Sequence, residues 1–125
     1  MSLSNYLENA ALNQWLRNTS FAAIASVWAS LHTADPGETG TGSPLVGAPR
    51  FTLAFNAAAS ATSVNSASAS VVVSATGTVT HLGLWDGSAT ATANHIGSGA
   101  LDVSRVVAVG DSVIVASGDI RVSLA

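Results

Sequence analysis

The sequence contains neither cysteine nor lysine. Without cysteine the chain can form no disulfide bond and no thiolate metal site, and the redox compartment is left open. Without lysine it can carry neither the Ser-x-x-Lys catalytic pattern nor a lysine-containing phosphate loop, although GETGTGSP has the glycines of such a loop. The two absences therefore exclude several classes of enzyme and metal-binding protein.

Charge is also scarce in this chain. Charged residues make up 9% of it, against about 25% in an average soluble domain, and the net charge is −3. The four arginines are widely spaced and form no basic run, so we expect no nucleic-acid partner. So little charge is typical of a protein packed against partners, but a GC-rich genome would produce the same composition. Both explanations remain open.

Long apolar runs and large side chains are few. No uninterrupted apolar run approaches the roughly 20 residues that span a membrane, and the N-terminus has no basic and apolar leader pattern. We therefore expect neither a secretory signal nor a membrane partner. The 125 residues predict one domain, with a core built mainly from alanine and valine because only three Trp, three Phe and one Tyr are present.

Residues 1–20 are predicted to form a short helix and its connection. Ser4 is a suitable N-cap because its hydroxyl can accept a backbone N–H, and Glu8 favours the positive end of the helix dipole. Trp15 lies on an apolar helical stripe, and Asn18 can adopt the left-handed conformation that ends a helix. This amphipathic helix can pack on its own domain or on another subunit, and the spacing does not decide between them.

Residues 21–125 are predicted to form a single β-sandwich domain. Short alternating apolar segments with Gly/Asp turns predict an all-β fold, a jelly-roll-like antiparallel β-sandwich preceded by the short N-terminal α-helix. The turn-rich loop 34–49 contains all three prolines and is expected to be functional or mobile. Residues 56–70 are low in complexity and predict a flexible connection or one weak strand centred on Val64. GDSVIV and GDIRVS predict two adjacent hairpin strands.

The segment VTHLGLWDG, residues 79–87, predicts a core strand that ends in an Asp-Gly turn. Period two places one set of side chains on one face (Val79, His81, Gly83, Trp85) and a second set on the other (Thr80, Leu82, Leu84). Both faces are largely apolar, so we expect cover on both sides, from the opposite sheet and from the helix or a neighbouring subunit. Gly83 leaves room for another chain or ring to approach closely.

Histidines and acids supply no recognisable catalytic or metal-binding pattern. His32, His81 and His95 lack the close pairings of metal ligands, so a strand histidine bonded to backbone through one nitrogen is the favoured interpretation. The nucleophile elbow Gly-x-Ser-x-Gly is missing, and most acids adjoin glycine or proline as turn formers. We expect no metal, no cofactor and no enzymatic activity.

Trp28 and Trp85 are the candidates for stacking against a ligand. Sandwich domains of this kind often bind sugars on exposed aromatic rings. Burial in the core or between subunits is the favoured alternative, because a chain with few large apolar side chains needs its tryptophans for packing.

Four segments occur in a characteristic order: MSLSNYLENAALNQWLRNTSF, VWASLHTADPGETGTG, GTVTHLGLWDG and SRVVAVGDSVIVASGDIRVSLA. Together they resemble a family of small tailed-bacteriophage virion structural proteins, whose members are described as capsid decoration or tail-fibre-like proteins. The chain departs from the family pattern between Ser43 and Phe55, where a glycine-rich strand with a tyrosine and an arginine is usual. Here Gly47-Ala48-Pro49-Arg50 takes that place, with Arg50 as the equivalent cation.

The resemblance implies a virion component assembled in the host cytoplasm. We expect a capsid decoration (cement) protein that binds the major capsid protein and copies of itself, as a dimer or trimer. A tail or fibre component with a carbohydrate- or host-surface-binding sandwich, and tail proteins as partners, is the alternative. A single domain without coiled-coil heptads or a collagen-like repeat favours decoration. The expected partner contacts lie on the helix and on the loop with its flank: Tyr6, Trp15, Asp35, Pro36, Glu38 and Arg50.

Overall fold

The structure, a computed structural model, describes residues 1–124. Within that range the chain forms one helix and nine strands: β1 Ser2–Leu3, α1 Asn5–Leu16, β2 Val27–His32, β3 Phe51–Leu53, β4 Thr62–Val64, β5 Ala69–Val72, β6 Gly77–Trp85, β7 His95–Val107, β8 Ser112–Val115 and β9 Arg121–Ser123. Every strand pairing is antiparallel. The predicted all-β sandwich with a short N-terminal helix is confirmed. No helix among the described residues is long and apolar enough to cross a membrane.

A five-stranded sheet forms the larger layer, with strand order β1-β7-β6-β2-β3. In the centre of this sheet β2 lies against β6, with Ala29 opposite Leu84 and Leu31 opposite Leu82. These four side chains are buried and belong to the main core. Because alternate residues of a strand point to opposite faces, the intervening residues project from the outer face of the sheet.

Two two-stranded sheets, β4-β9 and β5-β8, and the residues that adjoin them contribute further side chains to the core. Their buried apolar residues are small and β-branched, as the alanine- and valine-rich composition predicts, and they join the large sheet in one cluster: Val71, Val73, Val115 and Ile120. Of the two alternatives for residues 56–70, a flexible connection or one weak strand around Val64, the structure has the strand, as β4.

The expected hairpin of GDSVIV and GDIRVS is wrong, because β8 pairs with β5 and β9 pairs with β4. Asn65 provides the physical reason. This fully buried side chain donates to the Ala116 carbonyl oxygen at 2.8 Å and accepts from the Ile120 N–H at 2.8 Å. The turn between the two strands is thereby bonded to the end of β4, which directs β8 and β9 into different sheets.

The predicted helix ends are confirmed. The Ser4 hydroxyl accepts the Leu7 N–H at 3.3 Å and also donates to the His95 carbonyl oxygen, so the N-cap is bonded to β7 as well. Asn18 has a φ of 53°, the left-handed conformation expected just after the helix. The strand β1, which the sequence did not predict, extends the large sheet immediately before the cap.

The face assignment of residues 79–85 is partly wrong. Val79 lies opposite Arg105, whereas His81 lies opposite Ala100, so a bulge interrupts the register between these two positions. Val79 therefore points into the core together with Leu82 and Leu84, rather than away from them. A β-bulge shifts the alternation by one residue, and a strict period of two cannot reveal it.

Candidate functional site

The outer face of the large sheet carries a cluster of polar and aromatic side chains. Ser30 lies opposite Gly83, and Trp28 lies opposite Trp85, in the pairing of β2 with β6. Residues 34–49 fold back over this face, where the Gly42 carbonyl oxygen accepts a hydrogen bond from His32 at 2.8 Å and Gly40 packs on Trp85. The second cover of β6, expected from the helix or a neighbouring subunit, is thus provided in part by the chain's own loop.

A chain of hydrogen bonds crosses the centre of this cluster. The indole N–H of Trp85 donates to Ser30 Oγ at 2.8 Å, and the Ser30 hydroxyl donates to His32 Nε2 at 2.7 Å. His32 Nδ1 in turn donates to the Gly42 carbonyl oxygen at 2.8 Å. Because a carbonyl oxygen can only accept, the proton of the neutral imidazole resides on Nδ1, and every bond in the series has a donor.

Burial lowers the pKa of His32 below its ordinary value, against the opposing effect of its bond to the Gly42 carbonyl. The nearby charges of His95, His81 and Arg50 lower this pKa further. The folded protein therefore favours the neutral imidazole, the form that the hydrogen bonds require.

Gly83 has no side chain, and this leaves the room that the hydrogen-bonded side chains occupy. A Cβ atom there would lie 2.8 Å from Ser30 Oγ and 3.1 Å from His32 Nε2. Both distances are too short for a side chain to be added without displacing the bonded atoms. The space expected beside Gly83 is thus filled by side chains of the same protein.

His95 links the loop to the sheet next to Trp85. Its Nδ1 donates to the Glu38 carbonyl oxygen at 2.9 Å, and its ring centroid lies 5.0 Å from that of Trp85. The Glu38 carboxylate accepts the Asn5 N–H at 2.9 Å, at the start of α1. Gly40 packs directly on both rings, since a Cβ there would overlap the His95 ring and lie 2.7 Å from Trp85.

Arg50 covers the Trp85 ring, with its guanidinium carbon 3.7 Å from the ring centroid. Its Nη1 donates to the carbonyl oxygens of Gly87 and Ala89, at 3.1 and 3.2 Å. Burial lowers the pKa of Arg50, while the nearby Asp86 carboxylate acts in the opposite direction. The cation is therefore held in a fixed position by one ring and two carbonyl groups.

A cleft of about 440 Å³ opens beside Arg50 and Trp85. Pro44 and Pro49 contribute apolar walls, and further polar groups come from three hydroxyl side chains: Thr41, Ser88 and Thr90. A second cleft of about 450 Å³ is more acidic and is lined by Asp35, Glu38, His81 and His95. Among the described residues, no group of three or more His, Asp or Glu side chains could hold a metal ion.

The N-terminal segment, residues 5–26, carries several exposed apolar side chains. None of the α1 residues, all of which the structure describes, is buried, and Trp15 and Leu16 are 85% and 77% exposed. Residues 17–26 form neither helix nor strand, and Phe21 and Ile24 among them are exposed. Leu7, Ala10 and Ala11 are half-buried, whereas the large side chains at the end of the helix remain exposed.

Comparison with protein families gives a match, over residues 2–123, to a model described as podophage GP4 fiber I protein gp80. The match covers nearly the whole chain. The protein belongs to this phage fibre family. A comparison with curated proteins found no match. The resemblance to tailed-phage virion structural proteins is thereby confirmed, and the chain is a virion component of that kind.

The residues expected to meet partners are distributed over two regions of this fibre-family protein. Tyr6 and Trp15 lie on the exposed N-terminal segment. Asp35 is exposed but accepts the Gly37 N–H in a tight turn, and Glu38 is exposed but bonded to the helix start. Pro36 is buried within its own chain, so the loop presents no Pro36 surface to a partner.

The two tryptophans proposed for ligand stacking differ in their exposure. Trp28 is half-buried at the surface of the sheet, and its role in binding stays a prediction. Trp85 is 3% exposed and lies beneath Arg50, which agrees with the burial that the sequence favours for the tryptophans over ligand stacking. The strand alternation could not reveal this, because Arg50 belongs to the connection between β2 and β3 and meets Trp85 only in the folded protein.

Sequence reasoning did not assign a role to Ser30, His32 or His95 in a shared cluster. The interpretation that a strand histidine bonds to backbone through one nitrogen agrees with His32 and His95, whose Nδ1 atoms both donate to loop carbonyl groups. The only available signal was the shared parity of Ser30 and His32 in β2. The partner that makes them a network, Trp85, is 55 residues away from Ser30.

Proposed function

We propose that the chain is a subunit of a phage fibre that attaches to its neighbours in the virion through the N-terminal segment, residues 5–26. The exposure of Trp15 and Leu16 carries this proposal. Large apolar side chains exposed within one segment are typical of protein interaction sites, and aromatic side chains are enriched at interfaces. Copies of the same chain, as a dimer or trimer, are the proposed partners, because repeated contacts among identical subunits build closed assemblies.

The experiment replaces Trp15 and Leu16 together by serine in the phage and measures the amount of this protein in purified virions by mass spectrometry. The recombinant double variant is expected to keep the wild-type melting temperature, because both side chains are already in water. We expect it to be lost from virions and to sediment as a smaller species. Val46→Ser is the matched control, since Val46 is also exposed, at 78%, but lies in the loop.

Normal incorporation of the folded double variant would show that the segment is not the attachment surface. Antibody labelling of wild-type virions then tests the fibre assignment separately. Label at the tail or on a projecting fibre supports the proposal. Label distributed over the head contradicts it and favours the second candidate.

That second candidate is a capsid decoration protein bound to the major capsid protein. The secondary structure favours this candidate. The helix has only twelve residues, and residues 1–124 contain no coiled-coil or collagen-like segment that could form a fibre shaft. The family description names a fibre protein instead. We therefore place the fibre role first.

A binding role without catalysis is part of the same proposal, despite the bond between Ser30 and His32. The Ser30 oxygen already accepts the Trp85 indole N–H, which reduces its nucleophilicity, and burial makes His32 a weaker base. A p-nitrophenyl ester assay tests this. We expect the wild-type protein and Ser30→Ala to release nitrophenol at the same background rate, and a rate that disappears in Ser30→Ala would overturn the non-catalytic role.

A further inference from the structure

Arg50 forms no direct ion pair with any described residue, although the Asp86 carboxylate lies close enough to raise its pKa. Its Nη1 atom bonds to two carbonyl groups, whereas Nε and Nη2 form no hydrogen bond with any other described residue. The nearby Asp86 is already engaged, since its two oxygens accept the backbone N–H and the side-chain amide of Asn94 at 2.6 and 2.8 Å. A guanidinium with free donors and reduced hydration is suited to binding a carboxylate through two parallel bonds.

The cleft beside Arg50 is also lined by apolar and hydroxyl-bearing side chains. Pro44 and Pro49 provide apolar patches, and Thr41, Ser88 and Thr90 provide hydroxyl groups. A volume of about 440 Å³ lies within the range of small-molecule sites. Apolar patches next to hydroxyl groups match a sugar ring, which presents C–H groups on its faces and hydroxyls at its edge.

We propose that this cleft binds a carboxylate-bearing sugar of the uronic acid class, within a polysaccharide of the host surface. The carboxylate accepts hydrogen bonds from the free donors of Arg50, the ring lies against the proline walls, and the hydroxyl side chains bond to the sugar hydroxyls. This site rests on the proposed fibre role, which brings the protein to the host surface. Trp85 contributes by holding the guanidinium in place, so little ordering cost remains when the ligand binds.

Binding is tested on the full chain by calorimetry with a trigalacturonate and, as the neutral counterpart, a trigalactose. We expect binding of the acidic trisaccharide only. Arg50→Gln removes the charge and is expected to weaken that binding by about tenfold or more. Arg121→Gln, at an exposed strand position, is the matched control and is expected to bind as the wild type does.

Thr90→Trp provides a second test that leaves Arg50 and Trp85 intact. Thr90 is exposed at the cleft, so a large side chain there is expected to fill the cleft and block binding in a folded protein. Equal binding of both sugars, no binding of the trigalacturonate, or unchanged binding in Thr90→Trp overturns the proposal. Binding of a penta-aspartate peptide as strongly as the uronate also overturns it, because Arg50 would then act as a general anion site.

The failure of this inference can be distinguished from that of the proposed function. Virions that carry Thr90→Trp are expected to contain normal amounts of the protein but to adsorb less to host cells. Normal adsorption of such virions contradicts the sugar site and leaves the attachment through residues 5–26 unaffected. Loss of the Trp15 and Leu16 variant from virions tests attachment alone.

Discussion

The guanidinium of Arg50 and the indole of Trp85 form a stacked pair, with 3.7 Å between the guanidinium carbon and the ring centroid. The same indole donates its N–H to Ser30, so the ring is held at its edge and covered on its face. This pair connects the strand β6 to the loop before β3. It explains why a tryptophan that looks available for ligand binding in the sequence is buried in the fold.

Arg50→Lys is expected to destabilise the protein by about 1–2 kcal/mol. A lysine keeps the charge but loses the planar stacking on Trp85 and the geometry of the two carbonyl bonds. Urea unfolding followed by tryptophan fluorescence measures the free energy of unfolding. Arg121→Lys, at an exposed site, is expected to remain within about 0.5 kcal/mol of the wild type. Equal effects of the two substitutions would show that the stack does not stabilise the fold.

Gly83→Ala is expected to destabilise the fold by about 1–3 kcal/mol, because the new methyl group collides with Ser30 and His32. Thermal unfolding gives the change in stability. Gly87→Ala is the matched control, since a Cβ there meets its nearest neighbour at 3.5 Å, an ordinary contact. A Gly83 variant as stable as the Gly87 variant would mean that the hydrogen-bonded cluster can move aside without cost.

Asn65→Asp is expected to destabilise the protein by about 2–4 kcal/mol although the two side chains have nearly the same shape. The substitution replaces an amide donor by a carboxylate oxygen that faces the carbonyl groups of Ala67 and Ala116, in a fully buried position. Chemical unfolding at neutral pH measures the loss. Asn56→Asp, at an exposed position, provides the control. Similar stabilities of the two variants would rule out a role of the Asn65 amide in holding the turn.

The free energy of unfolding is expected to fall as the pH decreases below about 6.5, the ordinary pKa of histidine. Burial lowers the pKa of His32 in the folded state, so the unfolded chain binds a proton at a higher pH than the folded protein does. The unfolded state thus gains protons first, and stability is lost towards acid pH. Urea titrations across this range measure the slope. The non-titrating variant His32→Gln is expected to show a shallower one, and an unchanged slope would contradict this origin.

The helix ends are examples of structure that local sequence predicts well. Ser4 and Asn18 have the predicted cap roles because the bonds and dihedral angles concerned involve only nearby residues. Turn positions at Gly110 and Gly118, both with positive φ, follow from the same local preference. The candidate site is different, since Ser30, His32 and Trp85 become neighbours only through strand pairing.

The amino-acid sequence by itself determined the all-β class, the caps of the helix, most strand positions and the family to which the chain belongs. These features depend on the alternation of apolar and polar residues, on turn-forming residues and on short motifs. Each of these signals involves residues close together in the sequence. Only the tertiary structure decided that β8 and β9 join different sheets, that a bulge turns Val79 into the core, and that Arg50 covers Trp85. Each of these depends on contacts between distant segments, whose register is fixed by packing and by buried hydrogen bonds such as those of Asn65.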